Sequence, residues 1–575
     1  MDLRPKIQVT VNSKWLFVIA SLGLALVIIF CFFYLCSDYN YLAAWYLKMN
    51  DSFYRHGHWT ERFFTPATKR TGNFFCVPGV GIALALQFYL IKHLRSPGRA
   101  LTVKCSRWHV LMIGLCILTG TAAWIWGYSL VHEGFDEVFS AVNCASLPPF
   151  QTLSYYMLPN NHILFNLLNG TLFDFAGDKV FTGKIISLVC YWGIIVVAYA
   201  WLSGIIKNKL LIALATVVIS LQFPIWGFGF QARGYEFCSL AEWFAFFALL
   251  QYINTSNSQW LYYYVLACVS GYLCVPVFLY FHAAAVLFGL CRMICNRTTD
   301  SKFWIAQLSV LLVVALLYLP AICFSGVGAL SGNQYISPHI NGSDQFYHMG
   351  IRLFRGYLGF YTSNFTGDCI AGLALFSLPL TLLLFRRSTT AILCGFFYLC
   401  LWVNVIALAY IMKVYPIERA MSGHLSISLA LSIYALYLLL QKLNEVIRLP
   451  LVANAALIIS LVVLGIQFTA GDKANVSFYL YDNDINLKYD LLMHEGISFI
   501  PQGSSVGFSD ECFYWYYQCK LRGDKVDEYR PGTEQYFVRF ASDPLPTGYT
   551  GKFLLVKTVF KRGITAVSYE IYKRE

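Results

Sequence analysis

Apolar runs long enough to cross a bilayer as helices recur along most of this 575-residue chain, and no other feature constrains its fold as strongly. Read between polar turns, they give about thirteen spans: 15–36, 74–91, 109–131, 184–206, 210–224, 234–253, 260–276, 279–295, 303–324, 370–385, 389–412, 421–440 and 450–469. Hydrocarbon offers backbone N–H and C=O groups no water, so such segments must be helical. Composition agrees, with 58% hydrophobic and 13% charged residues against the roughly 25% charged that a soluble chain carries. A soluble multidomain protein is excluded. The first run follows Arg4, Lys6 and Lys14 as a signal peptide would, but it is long and lacks a small-residue cleavage site, so it is expected to remain as a span. The two runs around Pro276 read either as two spans or as one kinked helix, which would invert everything downstream.

The net charge of +12 is spread in short basic clusters between apolar runs rather than on one soluble face, which points to membrane topology and not to nucleic acid. With the N-terminus inside, the inner segments hold Arg4, Lys6 and Lys14; Lys92, Arg95, Arg99, Lys104 and Arg107; Lys207 and Lys209; Arg292, Arg297 and Lys302; Arg386 and Arg387; and Lys442 and Arg448. Against this, the first outer loop carries Arg55, Arg62, Lys69 and Arg70. That orientation puts four long segments outside: 37–73, 132–183, 325–369 and a tail from about Gly471. The tail mixes charge with β-prone stretches such as 553–556 and 567–572, and reads as a small soluble α/β domain. The expected organisation is an all-α polytopic membrane protein with a small C-terminal extracytoplasmic α/β domain. Residues 1–108 form an N-terminal hairpin and basic linker, 109–470 the main transmembrane domain, and 471–575 the soluble domain. Most of the 18 cysteines lie inside spans, where Cys is a small apolar residue; Cys512 and Cys519, in the tail, are the candidates for pairing.

Four short segments on the outer side carry polar chemistry. After the third span come Asp136 and Glu137, adjacent carboxylates at the membrane surface, where one could deprotonate a hydroxyl and where acidic residues also simply mark a water interface. Then come Pro159, Asn160, Asn161 and His162, opening an apolar helix; exposed N–H groups and a His suit an anion, and the same residues make an ordinary cap. Arg233 and Tyr235 follow within Ala232-Arg233-Gly234-Tyr235-Glu236. This Arg could snorkel to lipid headgroups or pair with Glu236 one turn away. Last comes Tyr415-Pro416-Ile417-Glu418-Arg419, whose guanidinium suits bidentate phosphate contact.

Taken in order over roughly residues 109–440, these segments resemble the GT-C class of integral-membrane glycosyltransferases, the broad group with the protein O-mannosyltransferases and the aminoarabinose transferases of lipid A. Two extra spans precede the one that leads to the carboxylates, and Ala420 and Met421 follow Arg419 where the class usually has an aromatic residue. The resemblance implies transfer of a sugar from a polyprenyl-phosphate donor to a glycan, lipid or protein acceptor at the outer face of the membrane. Asp136 would be the general base, and Glu137 would bind sugar hydroxyls or orient the acceptor. His162, Arg233 and Arg419 would hold the departing phosphate, with Asn160, Asn161, Tyr235 and His282 lining the substrate site. It implies no resident cofactor for a monophosphate-linked donor and leaves a divalent cation open. A bacterial inner membrane, with the site and the C-terminal domain periplasmic, is the expected location.

Segment 325–369 holds Tyr335, His339, Asp344, Tyr347, His348, Arg352, Arg355 and Tyr357, the pattern of an amphipathic connector or of a lid over the site. His56 and His58 alone suggest metal ligation, and the run Gly177–Lys184 has Ile185 where a phosphate loop needs Ser or Thr. The rival from another class is a secondary transporter, which calls for ionisable residues near the bilayer midplane; Glu242 is the main candidate. A polysaccharide ligase or polymerase is the rival closest in chemistry.

Overall fold

Segments that must satisfy their own backbone hydrogen bonds build this protein almost wholly from helices. A computed structural model describes residues 6–11, 14–49, 63–94, 101–131, 133–156, 161–171, 177–331, 342–361, 365–447, 455–466, 493–509, 512–526, 532–545, 549, 552–559 and 568–575. Strand β1 (Lys6–Val11) precedes α1 (Lys14–Cys36), α2 (Tyr39–Lys48) and α3 (Pro66–Leu94), and pairs antiparallel with β2 (Leu101–Ser106). Next come α4 (Arg107–Leu130), then α5 (Phe135–Ser140), α6 (Pro149–Ser154) and α7 (Ile163–Thr171), three short helices in the first long loop. The central helices are α8 (Lys179–Ser203), α9 (Lys209–Ser220), α10 (Phe223–Gly229), α11 (Tyr235–Thr255), α12 (Gln259–Cys274), α13 (Leu279–Asn296), α14 (Ser301–Leu317) and α15 (Leu319–Ser325). They are followed by α16 (Ser343–Gly359), α17 (Phe365–Gly372), α18 (Thr389–Met412), α19 (Ser422–Ile447) and α20 (Ala455–Ile466).

Among the described residues nine helices are long and apolar enough to cross a membrane. Their outer stripes are apolar at helical spacing and uncovered by protein: Ile19, Leu22, Leu26 and Ile29 on α1, and Leu111, Leu115 and Leu118 on α4. Such faces belong in lipid, and the chain is an integral multi-pass membrane protein. Three of the thirteen runs fall short for physical reasons: 210–224 breaks into α9 and α10, bent by 67°, α11 carries Glu236 and Glu242, and α12 has 16 residues; of the run 450–469 the structure describes only 455–466.

Pro276 separates two spans rather than kinking one. The Cys274 carbonyl meets His162 and the Tyr280 hydroxyl meets the Val414 carbonyl, all at one end of the bundle. At the other end Asp300, capping α14, accepts from the hydroxyl of Tyr252 near the close of α11. Helices α12 and α13 therefore run in opposite senses. Followed this way, Asp136, His162, Arg233 and Arg419 come to one end, opposite the turn that carries Arg292, Arg297 and Asp300.

The N-terminal hairpin has a structural role. Tyr34 donates to the Cys323 carbonyl at 2.9 Å, Gln151 donates to the Tyr46 carbonyl at 2.8 Å, and Tyr46 and Ser154 hydroxyls lie 3.0 Å apart, so α1 and α2 brace α6 and α15. The tail folds as expected, into a mixed sheet of order β3 (Val506–Phe508), β4 (Tyr536–Phe540), β6 (Tyr569–Arg574), β5 (Phe553–Val559), with α21 (Phe513–Leu521) before β4. Its core does not close on itself: Trp515, Tyr514 and Val506 share one cluster with Val138, Val142, Val180 and Ala232 of the membrane part. Cys512 and Cys519 are both buried free thiols. Seven residues, or two helical turns, separate them along α21, about 10 Å of rise, beyond the reach of a disulfide.

Candidate active site at one end of the bundle

Helix α5 is only six residues long and is held by Glu137. One oxygen of Glu137 accepts from the Gly134 N–H at 2.6 Å and the other from the Ala232 N–H at 2.5 Å, so this carboxylate caps its own helix and ties it to the turn before α11. Glu137 is buried, and its observed partners are backbone groups rather than the open position expected for a sugar ligand. Its neighbour Asp136 points elsewhere and is about one-third exposed.

Asp136 Oδ2 accepts from Arg233 Nη1 at 2.5 Å, and Arg419 Nη1 lies 3.6 Å from the same oxygen. Arg233 is buried while the Arg419 side chain is 38% exposed. Both guanidiniums sit over the ring of Tyr235, 4.9 and 5.5 Å from its centroid. Residues from three distant stretches of sequence thus share one cluster. Arg233 pairs with Asp136 and not with Glu236, whose buried oxygens have no hydrogen-bond partner among the described residues. The arginine turn is itself fixed: Ser187 Oγ donates to the Gln231 carbonyl at 2.6 Å, and Gly183 lets Ala232 press against α8.

His162 joins the cluster. Its ring meets Tyr235 edge-on at 5.0 Å, and a Cβ on Gly234 would fall 2.8 Å from the His162 Cβ, so only glycine fits there. Nδ1 lies 2.8 Å from the Cys274 carbonyl, which can only accept, so Nδ1 carries the proton. Burial, followed by the positive Arg233, pushes the imidazole down to about 3. His162 is neutral at physiological pH, and its buried Nε2 has a lone pair and no partner among the described residues. A neutral imidazole whose N–H is already committed cannot donate to a phosphate, which changes the role expected for it.

The remaining expected residues divide. Asn161 Nδ2 donates to the carbonyls of Thr152 and Tyr155 and its oxygen accepts from Asn166, which makes it a loop clasp. His282 lies apart, between the Tyr272 hydroxyl at 2.9 Å and Gln307 Oε1 at 2.7 Å, inside the α12–α14 packing. Pro159, Asn160, Tyr335, His339, His56 and His58 lie outside the described residues. No group of three or more His, Cys, Asp or Glu among the described residues could hold a metal ion.

Helix α16 packs on the Arg419 turn. Phe346 stacks on Tyr415 at 5.2 Å, and Gly356 leaves room for Glu418, whose Oε1 a Cβ would meet at 2.7 Å. The tail also reaches the site: Tyr517 donates to Asp178, the N-cap of α8, and Tyr514 donates to the Glu133 carbonyl at 3.2 Å, three residues before Asp136. Sequence reading passed over these tyrosines, although the aromatic run 513–517 in a polar tail was a visible signal.

No family model matches the chain, and no curated protein does. Among solved structures the chain is similar to the crystal structure of ArnT from Cupriavidus metallidurans bound to undecaprenyl phosphate, with 12% sequence identity, covering 81% of this chain and 98% of that one at a TM-score of 0.49. A likeness of that size says nothing about substrate.

Proposed function

We propose that the protein is a membrane glycosyltransferase that moves a sugar from a polyprenyl-phosphate donor to an acceptor hydroxyl on a glycan, lipid or protein. The observation that carries this reading is a partly exposed carboxylate, Asp136, held between two arginines at the end of a lipid-embedded bundle. A donor with an isoprenoid tail needs lipid beside the site, its phosphate needs cations, and the acceptor needs a base. All three requirements meet at this cluster.

In the reaction, the acceptor oxygen attacks the anomeric carbon from the face opposite the phosphate, giving inversion. Its proton passes to Asp136, the bond from the anomeric carbon to the phosphate oxygen breaks, and the electron pair leaves with the phosphate. Arg419, the more exposed of the two arginines, follows the growing charge on that phosphate, while buried Arg233 keeps Asp136 oriented. Neutral His162 accepts through Nε2 from a hydroxyl instead of binding phosphate. Arg292, Arg297 and Lys302 around the turn at the opposite end support a cytoplasmic assignment for that end. The site and C-terminal domain then face outward, in the periplasm if the membrane is a bacterial inner membrane.

Lipid-directed mass spectrometry of the purified protein tests the donor class: a co-purified polyprenyl phosphate or its glycoside is expected, and its absence together with no transfer from any such donor overturns the reading. One observation favours a second reading, proton-coupled transport, because Glu242 and His424 form a buried ionisable pair within the spans. Substrate uptake driven by a proton gradient in proteoliposomes would support that alternative.

A further inference from the structure

Among the described residues the helices bury an ionisable pair that sugar transfer does not use. Glu242, on α11, and His424, in the first turn of α19, meet at 2.8 Å between Oε2 and Nδ1, with side chains 1% and 0% exposed. Glu242 Oε1 and His424 Nε2 have no hydrogen-bond partner among the described residues. The rings of Phe281 and Trp402 cover His424. An ionisable pair in hydrocarbon is costly, and an apolar pair of similar size would hold two helices together at least as well. What an apolar pair lacks is direction.

Direction matters here because both helices begin at the site. Arg233 stands two residues before α11, and the turn carrying Arg419 runs straight into α19. A second directed bond lies beside the first, from Trp243 Nε1 to Ser426 Oγ at 2.8 Å. Next to His424, Gly423 brings α19 against α11 so closely that a Cβ would fall 2.2 Å from Glu242 Oε2. We infer that Glu242 and His424 are positioning residues: their hydrogen bond fixes the rotation of α19 against α11, so that Arg419 reaches the same Asp136 oxygen and the same Tyr235 ring as Arg233. The pin itself assumes no substrate; its consequence for phosphate binding rests on the sugar-transfer reading.

The full-length protein in detergent tests this through Glu242→Gln, Glu242→Leu and Gly423→Ala. Gln keeps an oxygen for His424 to donate to; Leu removes it; Ala at 423 displaces the carboxylate while leaving both groups present. The first readout is the rate at which phenylglyoxal modifies Arg419, followed by mass spectrometry, with the thermal midpoint recorded alongside. Severalfold faster modification is expected in Glu242→Leu and Gly423→Ala, and a near wild-type rate in Glu242→Gln. An unchanged Arg419 rate in both folded disrupting variants overturns the pin, and if Glu242→Leu does not fold, Gly423→Ala decides alone. The second readout is farnesyl phosphate binding, expected to weaken about tenfold in Glu242→Leu, the effect of losing one charged hydrogen bond, with no further loss when Arg419→Ala is already present. Equal losses in both backgrounds overturn action through Arg419. Failure of the wild-type protein to bind farnesyl phosphate counts against the sugar-transfer reading, while the labelling result still decides the pin.

Discussion

Asp136 and Glu137 are neighbours in sequence with opposite surroundings. Glu137 spends both oxygens on backbone N–H groups, whereas Asp136 faces two guanidiniums at a partly open surface. Replacing Asp136 by Asn keeps the shape and removes the base, so kcat should fall by about 10²–10⁴-fold in a radiolabelled sugar-transfer assay, the usual worth of general-base catalysis; full activity would remove Asp136 from that role. Replacing Glu137 by Gln puts an NH₂ where one backbone N–H donates. It should lower stability by about 1–3 kcal/mol, read in thermal unfolding. His162 predicts a pH effect. The unfolded imidazole binds a proton below 6.5 and the folded one only near 3. Stability is therefore unaffected above 6.5 and is lost as pH falls through that window, by about 1.4 kcal/mol per pH unit. His162→Asn should flatten that acid limb, and an unchanged limb would mean that the imidazole titrates normally.

At the scale of elements, α5 and α8 hold the site because other elements hold them. The N-cap of α8, Asp178, takes a hydrogen bond from Tyr517, which also accepts from the Val180 N–H at 3.2 Å. Removing that hydroxyl in Tyr517→Phe takes a donor from Asp178, while the Val180 N–H keeps Asp178 Oδ1 at 2.9 Å, and should destabilise the domain junction by about 1 kcal/mol, visible as faster limited proteolysis of the tail. Cys512, the N-cap of α21, and Cys519 stand two turns apart, so both should alkylate after unfolding without reductant.

For the whole molecule, the C-terminal sheet domain and the loop that carries Asp136 share one apolar core. Truncation after residue 470 would expose Val138, Val142, Val180 and Ala232 around Asp136. The expected result is loss of donor hydrolysis along with transfer, measured as phosphate release from a polyprenyl-phosphate sugar. Intact hydrolysis with loss of acceptor use alone would show instead that the tail is a separable recognition module.

Apolar run length, set against the need to satisfy backbone polar groups in lipid, made the helical membrane fold and its main spans legible from sequence. The β-prone clusters 553–556 and 567–572 fall on the strands observed over Phe553–Val559 and Tyr569–Arg574. The order of Asp136, His162, Arg233 and Arg419 along the chain suggested a shared site, because each follows or precedes a span on the same side. The sequence could not say that Glu137 is consumed as a cap, that His162 is neutral, that His282 lies elsewhere, or that Pro276 turns the chain between two spans. Those outcomes depend on which backbone carbonyl, amide or guanidinium arrives beside each side chain. Such neighbours come from helices hundreds of residues apart, and only tertiary packing brings them together.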